Sequence, residues 1–259
     1  MNLRELCRRN PILAITGWIN CALAAVLIVA ALFDSRTILG INPWIKPMKF
    51  SISIAIYVWT LAWYLHYVAR RRRAVAIVSW GVAICMLAEI AGITLQSARG
   101  VPSHFNVATP ADAAIFTGMG IVIGINTVLV FRVLLLFLSN LELPSAYLWG
   151  IRFGLLIFLL ASAEGVFMVI HGSHTVGAPD GGPGLPFVNW STQHGDLRAV
   201  HFAGMHALQL LPLAGYWLGR TQLSQRAQTS WVAAFLFLYL GVMAWLFGMA
   251  WQGRPLLTV

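Results

Sequence analysis

Seven apolar runs of about 17 to 25 residues each constrain this chain more than any short motif in it. They fall at 12–33, 48–68, 75–97, 113–138, 147–171, 199–219 and 231–252. A helix rising 1.5 Å per residue needs a run of this length to cross a hydrocarbon core of about 30 Å, and it satisfies its own backbone polar groups there without water. Charged residues make up only 10% of the chain and hydrophobic ones 59%, against roughly 25% charged in an ordinary soluble domain. The expected fold is all-α: one polytopic domain over 1–259, with seven transmembrane helices in a lipid bilayer. Arg4, Arg8 and Arg9 resemble the start of a signal peptide. The apolar part behind them runs about twenty residues without a convincing small-x-small cleavage site, so the first helix is expected to be retained.

The net charge of +9 raises the question of nucleic acid, since basic patches are the footprint of such binding. The distribution excludes that reading. Arg70, Arg71, Arg72 and Arg73 crowd one short loop, and alternating helices put Arg4, Arg8, Arg9, Arg132, Arg152, Arg220 and Arg226 on the same side. Arg36, Lys46, Lys49, Arg99, Arg198 and Arg254 fall on the other. Eleven basic residues against six predict a cytoplasmic N-terminus and an exoplasmic C-terminus by positive-inside bias. A bacterial inner (plasma) membrane is the expected setting. Cys7, Cys21 and Cys85 are widely spaced and form neither a disulfide framework nor a CxxC motif.

Most connections are short. The segment 172–198, with Pro179-Asp180-Gly181-Gly182-Pro183-Gly184 and Asn189-Trp190-Ser191, is long for a compact domain and reads either as an exoplasmic lid or as a plain surface loop. Pro47 suits the start of the second long helix, with Trp44 at the boundary and Lys46 and Lys49 a turn apart.

Three ionisable residues interrupt the apolar runs: Glu89, Glu164 and His206. Each costs at least ~2.5 kcal/mol in a bilayer, so each is expected to face protein or a wet cavity. Counting back from the nearest predicted exoplasmic end places Glu89 roughly 12 Å deep, and Glu164 and His206 roughly 10 Å deep. Helical phase aligns Glu89 with Gln96 and Glu164 with His171, seven residues apart in both cases, and sets Phe202 and Gln209 one turn to either side of His206. His201, five residues from His206, points elsewhere and is expected at the wall of the site. His104, His171, His174, His194, His201 and Arg198 fall on the exoplasmic side.

Three function classes follow in order. The first is a metal site open to the exoplasmic face: His206, His171, His201 and Glu164 as ligands of a divalent zinc, iron, manganese or copper ion, and Glu89 and Glu164 as catalytic carboxylates acting on a lipid or other small hydrophobic molecule. Gln96, His104, His174, His194, Arg198, Gln209 and Lys49 would line its vestibule. Neither His171-Gly172-Ser173-His174 nor the spacing from His201 to His206 matches HExxH. The second is proton- or cation-coupled transport through the same carboxylates. The third is a b-type haem protein, for which His206 would need His171 or His104 as its axial partner.

Overall fold

Helices begin and end where the sequence supplies the capping chemistry. Asn10 is extended (φ −155°, ψ 92°) and its side-chain oxygen accepts the Leu13 N–H at 3.2 Å, while Pro11 occupies the first turn, where its missing N–H is no loss. This break divides the N-terminal run into a short α1 (Leu3–Arg9) and α2 (Pro11–Phe33). In the computed structural model, which describes residues 3–139 and 142–258, there follow α3 (Ile45–Tyr67), α4 (Arg72–Arg99), α5 (Pro110–Phe137) and α6 (Ser145–His171). The strands β1 (Thr175–Val176) and β2 (Gly195–Asp196) come next, then α7 (Arg198–Leu218) and α8 (Gln225–Trp251). Gly100 (φ 76°) and Gly172 (φ 80°) end α4 and α6 in the left-handed region that glycine adopts without strain.

All seven predicted runs are helical, and six of those helices are long and apolar enough to cross a membrane: every long one but α7. The 21-residue α7 carries Arg198, His201, His206 and Gln209 among its apolar positions. Large apolar side chains lie outermost. Leu32, Phe33, Ile170 and Phe237 are each at least 71% exposed, a surface that suits lipid and not water.

The chain divides into two units, Met1–Arg132 and Val133–Val259. In the first, α2, α3 and α4 pack pairwise and α1 lies on α2 and α3. Asn10 Nδ2 donates to Ser79 Oγ at 2.6 Å, tying the start of α2 to α4, and the Arg9 guanidinium sits 3.6 Å over the Trp63 ring. The connection from α2 to α3 is fastened by Trp44, whose indole N–H donates to Asp34 Oδ2 at 2.8 Å. Tyr57 donates to Asn126 Oδ1 at 2.9 Å, joining α3 to α5, as expected of an amide between membrane helices. Asn20 differs: its Nδ2 donates within its own helix, to the Thr16 carbonyl at 2.9 Å.

In the second unit α6, α7 and α8 pack pairwise. The α6–α7 contact is an antiparallel seam of backbone against backbone. A Cβ on Gly215 would come 2.3 Å from the Ala146 carbonyl oxygen, one on Gly150 2.6 Å from that of Leu211, and one on Gly154 2.8 Å from that of Ala207. Further along, Gly204 meets the Ala161 methyl at 2.5 Å on the same basis. Pro212 lies in the seam against Gly150 and Gly154, so its ring fills space that two missing side chains leave.

The segment 172–198 is braced. β1 and β2 pair antiparallel, Thr175 with Asp196 and Val176 with Gly195, and Gly184 bridges Ser191. β2 rests on the end of α8 so closely that a Cβ on Gly195 would lie 1.9 Å from the Ala250 carbonyl oxygen.

Gly118, Gly120 and Gly124 lie along α5, where small residues allow either close helix packing or a gap. Among the described residues no atom lies within 4 Å of a Cβ built on any of them, so they pack against nothing. Gly154→Val should therefore force α6 from α7 and cost about 1–3 kcal/mol, read as a fall of several degrees in the Tm of the detergent-solubilised protein. Gly120→Ala, with open space and a gain in helix propensity of up to about 1 kcal/mol, should leave the Tm unchanged or raise it. Equal losses in both variants would contradict the seam.

Candidate functional site

Two small residues open the α6–α7 seam just where two ionisable ones meet. Gly165 follows Glu164 on α6, and a Cβ there would stand 3.0 Å from His201 Cε1. Its absence admits the imidazole, and His201 Nδ1 lies 2.9 Å from Glu164 Oε2 in a hydrogen bond between the two helices. The Glu164 side chain is 10% exposed and that of His201 30%. The second carboxylate oxygen, Oε1, is buried and has no hydrogen-bond partner among the described residues. The pair thus combines a buried acceptor oxygen that is unsatisfied with a histidine that is partly exposed.

The expectation set His201 at the wall of the site and grouped His206, His171 and His201 with Glu164; of these histidines it is His201 that hydrogen-bonds the carboxylate. The seam explains the difference. His201 and Gly204 are three residues apart and share a helix face, and Gly204 is pressed onto α6, so His201 is carried to α6 with it. His206 is two residues beyond Gly204, about 200° around the axis. Its ring packs on Phe202, with centroids 4.2 Å apart, and it hydrogen-bonds with Gln209, the two stripe neighbours that helical phase assigned to it. His171 stacks parallel to Phe167 at 6.4 Å and places Nε2 3.3 Å from the Thr175 carbonyl oxygen.

The vestibule candidates are likewise engaged. His174 Nδ1 lies 2.7 Å from Asp180 Oδ2. The His194 N–H donates to Ser191 Oγ at 3.0 Å. Arg198 donates to both oxygens of Asp196, at 2.9 and 2.6 Å, and to the Asn189 carbonyl. A cleft of about 180 Å³ between these loop residues is lined by Thr175, Gln193, His194 and Arg198 among others.

In the first unit Glu89 is buried on α4, with Oε1 3.9 Å from His104 Nε2. Gln96, on the same α4 face, is drawn to α5 instead: its Nε2 donates to Asp112 Oδ1 at 2.9 Å, and Arg99 donates to the same oxygen at 2.6 Å. Lys49 is half-buried in the first turns of α3.

No family model, curated protein or solved structure matches the chain. Among the described residues no three His, Cys, Asp or Glu side chains form a group able to hold a metal ion. Glu164 meets His201 and Glu89 approaches His104, while His206 and His171 have the other neighbours described above, an arrangement of pairs in place of the larger ligand set expected. What sequence reasoning missed is the Glu164–His201 partnership, and the signal for it was Gly165 beside Glu164 and Gly204 one turn from His201.

Asp180 holds the braced segment through four contacts, accepting from the backbone N–H groups of His174 (3.2 Å to each oxygen) and Thr175 (2.9 Å) and meeting the His174 ring. Burial works to raise its carboxyl, but the bonds from His174 and Thr175 outweigh burial and hold it below the ordinary aspartate range. A carboxylate so depressed contributes stability that is fully present above its unfolded value of about 3.9 and is lost as pH falls through the lower folded value. Protection of the His174 and Thr175 amides from hydrogen exchange should owe nothing to pH at Asp180 down to about pH 4 and weaken below it. Asp180→Asn should speed their exchange roughly 10-fold at pH 7, as loss of a hydrogen bond to a charged acceptor does. Unaltered exchange in that variant would show that the strands alone brace the segment.

Proposed function

We propose that the chain is a seven-span integral membrane transporter, N-terminus cytoplasmic and C-terminus exoplasmic, that moves a small solute with a proton carried by Glu164 and His201. The observation that supports this reading is the pair itself: a buried carboxylate joined to a histidine at 2.9 Å, with its other oxygen lacking a partner among the described residues. Two groups suffice to share and pass a proton. A metal ion held by protein asks for at least three ligands in the usual zinc sites, and a divalent ion at Glu164 and His201 would need a third donor brought to them. A b-type haem would need a second histidine facing His206, whose ring is packed on Phe202.

Position favours a proton route as well. Glu164 lies seven residues from the end of α6, roughly 10 Å along the axis, and His201 is in the first turn of α7. The histidine is the more exposed partner. A proton entering from the exoplasmic side in this topology meets imidazole first and carboxylate second. α7 crosses with α6 and α8, on which it packs, and His201 faces α6, as an ionisable side chain in a membrane helix is expected to face protein in preference to lipid.

The test is proteoliposomes loaded with a pH-reporting dye and offered amines, amino acids, carboxylates and sugars in turn. At least one class should drive internal pH change with the wild type, and Glu164→Gln should abolish that change while leaving solute exchange without a pH gradient. His201→Gln should slow both proton uptake and release. Stoichiometric zinc, iron, manganese or copper retained by the wild type and lost from both variants, with no pH change for any solute, would replace transport with the metal-site reading.

A further inference from the structure

We propose that Lys46, His104 and Glu89 form a second proton-loading site, in which the imidazole of His104 passes a proton from the Lys46 ammonium to the Glu89 carboxylate. The three lie in the first unit, on the first turn of α3, in the connection from α4 to α5, and on α4. His104 Nδ1 is 3.4 Å from Lys46 Nζ and 3.1 Å from Ser103 Oγ, and its Nε2 is 3.9 Å from Glu89 Oε1. Phe50, Phe105 and Phe116 surround the ring, with centroids 6.0, 6.3 and 6.1 Å from it. The lysine, the serine and the glutamate are polar groups that meet the imidazole within this apolar cage.

Hydrogen-bond chemistry orients the relay. An ammonium has donors and no acceptor, so Nδ1 facing Lys46 is the acceptor nitrogen, and the ring proton of neutral His104 sits on Nε2, toward Glu89. Burial is deepest at the acceptor end: Lys46 and His104 are half-buried, the His104 side chain 23% exposed, and that of Glu89 is 4% exposed. At the far end Glu89 Oε2 is buried with no hydrogen-bond partner among the described residues, as expected of a group awaiting a proton or a polar ligand.

The transfer balances. One N–H bond of Lys46 breaks as an N–H forms at Nδ1. The Nε2–H bond breaks as an O–H forms at Glu89 Oε1, after the ring closes the remaining ångström of its approach. Lysine becomes a neutral amine, glutamate a neutral acid, and the imidazole ends neutral with its proton on Nδ1. The amine regains a proton from water at the start of α3, and the ring, 23% exposed, resets by tautomerising through water: it gives up the Nδ1 proton and takes one at Nε2.

This inference stands apart from transport through Glu164 and His201, because it is read at Glu89 itself. The full-length protein in nanodiscs is followed by infrared spectroscopy after a rapid drop in pH, with the carboxylic-acid band of Glu89 identified by its loss in Glu89→Gln. Glu89 protonation should slow roughly 100-fold in His104→Ala, as removal of a proton-transfer group does, and added imidazole should restore it. Lys46→Arg keeps the positive charge but cannot give up a proton at ordinary pH, so it should be slow as well; a fast Lys46→Arg would reduce lysine to an orienting charge and overturn its part as donor. Nitrogen-15 NMR of histidine-labelled wild type should show His104 protonated on Nε2, and this reading holds even where a variant fails to fold. A proton on Nδ1, the absence of any band sensitive to Glu89→Gln, or an unchanged rate in His104→Ala would each overturn the relay.

Discussion

The close contact of α6 with α7 governs what the second unit can do. Gly150, Gly154 and Gly215 let carbonyl oxygens of the facing helix approach to distances that any side chain would forbid, and Gly204 does the same against Ala161. Such contacts hold helices together in lipid through dispersion, since burial of apolar surface gives little advantage over contact with acyl chains. They also fix rotation. Once Gly204 faces α6, the direction of every other α7 side chain follows from the helical angle, including His201 toward Glu164 and His206 away from it.

The helices themselves were legible in the sequence because length and hydropathy alone decide them. All seven predicted runs appear, displaced at their ends by local signals such as the Asn10 cap of α2. The short α1 and the pair of two-residue strands were not legible. α1 is only seven residues long, too short for an apolar run to announce it, and β1 and β2 are held by side chains of Asp180 and Asp196 spaced along an irregular segment. Depth was readable and partnership was not. Counting residues put Glu164 and His206 at similar levels, but which faces touch depends on where small residues permit contact. The phase argument succeeded within a single helix, for Phe202, His206 and Gln209. It failed between helices, for Gln96, which Asp112 of α5 captures.

The two units meet the same chemical problem with different parts. Each has a glutamate near an imidazole, and in each one buried carboxylate oxygen lacks a partner among the described residues. In the second unit the histidine comes from a helix and is in full hydrogen-bond contact at 2.9 Å. In the first it comes from a connection, stands at 3.9 Å, and is held between a lysine and three phenylalanine rings. A histidine on a helix is positioned by its seam; one on a connection is positioned by its cage and keeps room to turn.

Gly195 pressed onto Ala250 and Asp196 gripping Arg198 have a mechanical result. The braced segment leaves α6, pairs with itself, leans on the last turns of α8 and delivers the first residue of α7. It works as a clasp across three helix ends, and a bundle clasped at one end can spread only at the other. At the other end of the second unit α6 and α7 are held by the seam itself, closest where Gly215 meets the Ala146 carbonyl, so the pair is fastened by loop at one end and by glycine at the other.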